Sequence, residues 1–173
     1  RLAHGARLSL GIAVSATLLA VGLGAAIGVV SGWLADGRWR AVDSVLMRAV
    51  DVVLAFPYLL FITAIGVAID HADAVTVALT LGLTSWTGIA KVARAKTLEI
   101  RARDYVEAAR ALGARPTAVV RRHVLPGLWP TLLVIGTHAA AQMILAEAVL
   151  SYLTVGIEPP QATWGRMLHE AAG

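Results

Sequence analysis

Long runs without a charged residue alternate with short charged stretches along this chain. Residues 8–35 carry no Asp, Glu, Lys or Arg over 28 positions, about 40 Å of helix at 1.5 Å per residue, enough to cross a bilayer with some tilt. That run is too long for the apolar part of a signal peptide. Residues 52–69, 74–90 and 124–146 repeat the pattern over 18, 17 and 23 positions. The four runs predict an all-α polytopic membrane protein with four spans.

Special residues within the runs refine this picture. Gly24, Gly28 and Gly32 recur every four residues, extended upward by Ala20. This lines one helical face with tiny side chains and lets another helix approach closely. A general enrichment of membrane helices in glycine would give the same composition without that role. Pro57 removes a backbone donor and frees the carbonyl of Val53, so the second span should kink. Asp51 stands at its entrance with Arg48 three residues earlier, a spacing that permits a local ion pair. In the third run Thr76, Thr80, Thr84, Ser85 and Thr87 can bond their hydroxyls to the preceding turn. In the fourth, His138 and Gln142 share a face and should look inward at other helices. For His138 both an interhelical hydrogen bond and contact with a solute path are open. Glu147 follows 23 uncharged residues and is expected near the outer interface. Beyond it, Pro159-Pro160 and Trp164-Gly165 suggest a rigid external turn with an interfacial aromatic anchor. Asp51, Pro57, His138, Gln142 and Glu147 are thus the candidates for a translocation path or interhelical polar contacts.

Composition agrees: 58% of residues are hydrophobic and 15% charged, against roughly 25% charged in a soluble domain. The absence of cysteine excludes a disulfide framework and thiolate metal sites. The net charge of +4 sets orientation. Fifteen Lys and Arg divide 12 to 3 between alternate sides, placing residues 36–50 and 91–123 in the cytoplasm and residues 70–73 and 147–173 outside. Nucleic acid is not implied, because no recognition motif or aromatic interleaving accompanies the basic residues.

The segment KVARAKTLEIRARDYVEAARALGARPTAVVRRHVLP (residues 91–126) is too regular for a connector. Tyr105, Ala108, Ala109 and Leu112 fall at i, i+3, i+4 and i+7, one stripe of a helix over residues 104–112. Arg103, Glu107 and Arg110 occupy the rest of its surface at spacings that permit mutual pairing. Gly113 suits a left-handed stop, and Pro116 the first turn of the next helix. Such a helix would dock in a protein groove. Lying on lipid is the alternative, although an alanine stripe buries little area for membrane adhesion.

Glu107-Ala108-Ala109, with Gly113 following and Val124-Leu125-Pro126 closing the segment, resembles the EAA loop of permease subunits in binding-protein-dependent ATP-binding-cassette importers. More narrowly, YVEAARALGA followed by RRHVLP resembles the dipeptide, oligopeptide and nickel permease family. The resemblance extends over GARLSLG (residues 5–11), MRAVDVVLAFP (47–57), SWTGIAKVAR (85–94) and AEAVLSYLTVGIEPPQATWGRML (146–168). The chain departs from the family's pattern at Gly127, Tyr152 and Thr154, all outside the coupling motif.

The resemblance implies the type I importer transmembrane fold, whose members have six spans, with this chain carrying the middle four. It implies a multi-pass protein of the bacterial inner membrane that is not itself an enzyme. ATP and magnesium would be bound by a separate cytoplasmic subunit, and this chain would hold no cofactor or metal. The other implied partners are a second homologous permease subunit, an external or periplasmic solute-binding protein, and a small solute, peptide first. Arg103, Tyr105, Glu107, Ala108, Ala109, Leu112 and Gly113 would then couple the permease to the ATPase. The chain itself has no GxxxxGK phosphate loop, HExxH or paired-carboxylate spacing. The rival functions are a secondary transporter and a non-transporting membrane scaffold whose cytoplasmic loop docks another protein.

Overall fold

Backbone in a bilayer has to satisfy its own hydrogen bonds, and helices do so locally. The computed structural model describes residues 2–68, 73–153, 155–157 and 163–172, and every regular element among them is helical. In chain order they are α1 (Leu2–Leu34), a 3-10 turn (Gly37–Trp39), α2 (Arg40–Leu54), α3 (Tyr58–Ala68), α4 (Ala74–Arg101), α5 (Asp104–Ala111), the single turn α6 (Pro116–Val119), a π turn (Val120–Val124), α7 (Leu125–Tyr152) and α8 (Trp164–Ala172). Gly5–Leu34, Ala74–Arg101 and Pro116–Tyr152 are each long and apolar enough to cross a membrane, and α2 with α3 makes a fourth if the broken pair is one span. This is an all-α multi-pass architecture.

Several boundaries differ from the sequence expectation. Pro57 interrupts the second span where a kink was expected, since α2 stops at Leu54 and α3 starts at Tyr58. Proline disfavours helical geometry in the residue before it as well as removing a donor. The Pro57 carbonyl accepts the Phe61 N–H at 3.0 Å, so proline sits where its missing donor is not needed. In addition, α2 begins at Arg40, within the expected connector, and α4 runs on to Arg101 without a break at residue 90. Finally, Trp164-Gly165 open helix α8 and do not form a turn. Thr163 starts that helix, its hydroxyl accepting the Arg166 N–H at 3.3 Å and its carbonyl the Met167 N–H at 3.0 Å. Residues 70–72, Thr154 and Pro159-Pro160 lie outside the described residues. Asp73 caps α4 by accepting the Thr76 N–H at 2.7 Å and the Thr76 hydroxyl at 2.6 Å. Those two donors, the hydroxyl first, hold its carboxyl below the usual carboxylate range.

The chain divides into two units. The first comprises Arg1–Ala20, Leu54–Trp86 and Gly136–Gly173. Its packing depends on glycines: a Cβ at Gly82 would meet Leu19 Cδ2 at 2.7 Å and the Ala16 carbonyl oxygen at 3.0 Å, and one at Gly165 would strike the Ala148 backbone. Ser85 donates to the Tyr58 hydroxyl at 2.9 Å, and the Trp164 N–H to Ser9 at 3.3 Å.

The second unit comprises Val21–Val53 and Thr87–Ile135. Here the glycine face of α1 lies on α4. A Cβ at Gly28 would strike the Ala90 carbonyl oxygen and come within 2.6 Å of Ala93 Cβ, and one at Gly32 would meet the Arg94 carbonyl oxygen at 2.9 Å. Gly127 serves a similar approach, since a side chain there would meet Ile100 Cδ1 at 2.9 Å. The π turn precedes Pro126, whose ring crowds the carbonyl four residues back, and the wider turn relieves that crowding.

Candidate functional site

Helix α5 and its flanks form the candidate site, and its ends show why so short a helix is stable. At the start, Arg103 is extended, with φ −82° and ψ 142°, and its carbonyl accepts the N–H groups of Val106 and Glu107 at 2.9 and 3.1 Å. At the end, Gly113 has φ 83°. The Gly113 N–H donates to the Arg110 carbonyl and the Ala114 N–H to the Ala109 carbonyl, both at 3.0 Å. This is the paired hydrogen bonding of a Schellman stop, which requires a left-handed residue where glycine stands.

Burial separates the two faces of α5. Val106 is fully buried and anchors the helix. The expected stripe points the other way: Tyr105 and Ala108 are exposed, Ala109 is half-buried, and Leu112 is 89% exposed. An exposed leucine on a short helix with a small-residue neighbour is unfinished apolar surface. Glu107 is exposed beside it.

The pairing that spacing permits among Arg103, Glu107 and Arg110 is not made. Arg103 turns back to Glu99 at 2.7 Å, and Arg110 lies over the Trp33 ring with its guanidinium 5.4 Å from the centroid. The Tyr105 ring leans on His123 with centroids 5.6 Å apart. Both contacts attach α5 to longer helices, the first to α1 and the second to the π turn that leads into α7.

Behind α5 the second unit holds a set of charges that sequence reasoning missed. Arg94 grips Asp43 through Nε and Nη2 at 2.7 Å each, and Ser31 donates to the same carboxylate. The Asp43 side chain is 6% exposed and that of Arg94 30%. Two turns further along α4, Arg101 donates to the terminal α1 carbonyls of Gly32 at 2.8 Å and Trp33 at 2.9 Å, and pairs with Asp36. A cation there satisfies carbonyls that the helix end leaves open and opposes its negative dipole end. The signal in sequence was the seven-residue spacing of Arg94 and Arg101, which puts both on one face of a helix. Their carboxylate partners are more than 50 residues away, as the 51-residue separation of Arg94 and Asp43 shows, so no local pattern could name them.

The remaining candidates are not brought together with α5. Asp51 pairs with Lys91 at 2.5 Å in place of Arg48, and both side chains are about half exposed. Pro57 marks the break between α2 and α3. His138 and Gln142 are exposed, so the described residues of this chain do not cover them. The covered face of α7 is taken by Leu128, Leu132, Met143, Ala146 and Leu150, leaving the polar pair outside this chain's own packing. Glu147 is fully buried, because it lies four residues after Met143 and three before Leu150 on that covered face. One of its oxygens accepts the Ser151 hydroxyl at 2.7 Å, and the other has no partner among the described residues. No group of three or more His, Cys, Asp or Glu among the described residues could hold a metal ion.

Comparison with known proteins follows the same outline. Residues 24–173 match the family described as binding-protein-dependent transport system inner membrane component. The chain is 39% identical over 169 residues to a "Putative peptide transport system permease protein" of Brucella suis biovar 1, covering 97% of this chain and 55% of that protein. It is 34% identical over 167 residues to the dipeptide transport system permease protein of Bacillus subtilis, covering 96% of this chain and 51% of that protein. The chain therefore spans about half the length of the curated relatives it matches.

Proposed function

The chain belongs to the binding-protein-dependent transport system inner membrane component family, and on that premise we propose that it is the transmembrane permease part of an ATP-driven importer of peptides or related small solutes. ATP would be hydrolysed by a separate cytoplasmic subunit docked on α5. An external solute-binding protein would deliver the solute, and a second permease subunit would complete the path. Residues 36–50 and 91–123 would face the cytoplasm, in keeping with the 12 to 3 division of basic residues.

The observation that carries this reading is the exposed face of α5. Tyr105, Ala108 and Leu112 are presented outward by a helix whose opposite side is pinned by Val106 and whose end is fixed by Gly113. Arg103 and Glu107 border that face. Force applied there would reach α1 through the Arg110–Trp33 contact and α7 through Tyr105–His123. Transport then follows from switching between two packings of the spans. On α7, exposed His138 and Gln142 would line the solute path or meet the second permease subunit, since polar groups at membrane depth seek protein or water. The peptide class rests on the names of the relatives.

Replacing Ala108 by tryptophan tests the docking role. The position is exposed in this chain, so the spans should insert and fold normally. Expected results are loss of the co-purifying ATPase, or ATP hydrolysis that no longer responds to loaded binding protein, with solute uptake reduced at least tenfold. Normal ATPase association, stimulation and uptake would remove the docking role from α5. A secondary transporter would instead sustain uptake with no ATPase present.

A further inference from the structure

Arg115, Arg121 and Arg122, with Thr117 and Ala118, line one depression of about 370 Å³ in the second unit. All three arginines are exposed, none makes an ion pair among the described residues, and no carboxylate lines the depression. The basic residues of α4 differ: Lys91, Arg94, Lys96 and Arg101 each pair with an acid. Three uncompensated guanidiniums around one hollow favour a phosphate-bearing anion, which Arg engages bidentately. Immediately after them α7 exposes Leu125, Trp129 and Leu133, at 44%, 61% and 54%. These recur every four residues and so continue one face of the helix away from the arginines. Charge above and an apolar stripe below, with Trp129 midway along the stripe, match a phospholipid lying along the helix.

We propose that this hollow and stripe hold one anionic glycerophospholipid of the cytoplasmic leaflet, its phosphodiester among Arg115, Arg121 and Arg122 and its acyl chains along Leu125, Trp129 and Leu133. A lipid there would brace the root of α7 beside His123, which Tyr105 of α5 contacts. The proposal rests on the cytoplasmic placement of residues 91–123. Maleimide labelling of the Ala111→Cys variant reads that placement separately, so the two can fail independently.

The test uses the full-length permease assembled with its ATPase in nanodiscs of phosphatidylglycerol and phosphatidylcholine, then delipidated in mild detergent. Lipid retained by the wild type is compared with that retained by the triple variant R115Q/R121Q/R122Q and by Trp129→Ala. The wild type should keep phosphatidylglycerol in preference to phosphatidylcholine. The triple variant should lose that preference at least tenfold, given roughly fivefold per arginine at a membrane surface, while its ATPase stays bound. Trp129→Ala should weaken retention of both lipids and leave the preference for charge intact. Equal retention by wild type and triple variant would overturn the proposal. So would displacement of the lipid by millimolar inorganic phosphate, which would make the hollow a site for a free anion. Loss of the ATPase with lipid retention unchanged would assign the arginines to a protein partner.

Discussion

Gly28 and Arg94 stand on facing surfaces of α1 and α4, and each shows how little room one position has. A leucine at Gly28 would drive its Cβ into the Ala90 carbonyl and to within 2.8 Å of the Arg94 nitrogen, both backbone atoms that cannot swing aside. Its destabilisation should reach or exceed the roughly 1–3 kcal/mol of ordinary overpacking. Gly22 has nothing within 4 Å of its Cβ position, so Gly22→Ala is the control for Gly28→Ala, and of the two only Gly28→Ala should lower the thermal midpoint in detergent micelles. Arg94→Ala would strand the Asp43 carboxylate, which is 4% exposed as a residue, with only Ser31 as donor. A fully buried pair broken this way costs about 3–5 kcal/mol. Because Arg94 is partly exposed, about 2 kcal/mol is expected, read as a lowered unfolding midpoint. Adding Asp43→Asn should restore part of the loss, since the stranded charge is then gone.

At the scale of an element, α5 is short enough that its ends decide its existence. Isolated helices of this length are unstable in water, so α5 depends on Val106, the Arg110–Trp33 contact and its glycine stop. No atom lies within 4 Å of a Cβ at Gly113, so space is not the obstacle to a side chain there. The obstacle is φ 83°, which costs a β-branched residue more than it costs asparagine. Gly113→Asn should therefore keep most binding-protein-stimulated ATP hydrolysis and Gly113→Val should lose it. If the two variants behave alike, the left-handed stop is irrelevant to coupling. The broken element at Pro57 follows a different logic, because its bond pattern puts proline at a helix start and α2 becomes a separate helix reaching back to Arg40.

For the whole molecule, the expected orientation follows from the distribution of basic residues. Ala111 lies at the end of α5 and is exposed, which makes it a good reporter of sidedness. In intact cells, Ala111→Cys in the otherwise cysteine-free chain should resist a membrane-impermeant maleimide and become reactive once the membrane is permeabilised. Labelling from outside would invert the orientation and remove α5 from the reach of any cytoplasmic ATPase.

Much of the helical content was legible in the sequence by itself, because charge-free runs and 3.6-residue periodicity are local properties of the chain. The small-residue face of α1 and the stop at Gly113 were legible for the same reason: each depends on side-chain size or backbone freedom at a fixed spacing. Tertiary structure alone decided which way each helix faces. Glu147 and His138 lie nine residues apart on α7, yet the carboxylate is buried and the imidazole exposed. Polarity alone could not separate the two, because it does not encode the rotation of a helix against its neighbours. Ion-pair partners were decided in the same way. Asp51 chose Lys91 over the nearby Arg48, and Asp43 chose Arg94, since an ion pair follows distance in space, which spacing along the chain does not encode. Periodicity marked Tyr105, Ala108, Ala109 and Leu112 as one stripe, but only packing could make Val106 the anchor and leave Leu112 bare, because burial depends on what the rest of the chain places beside a helix.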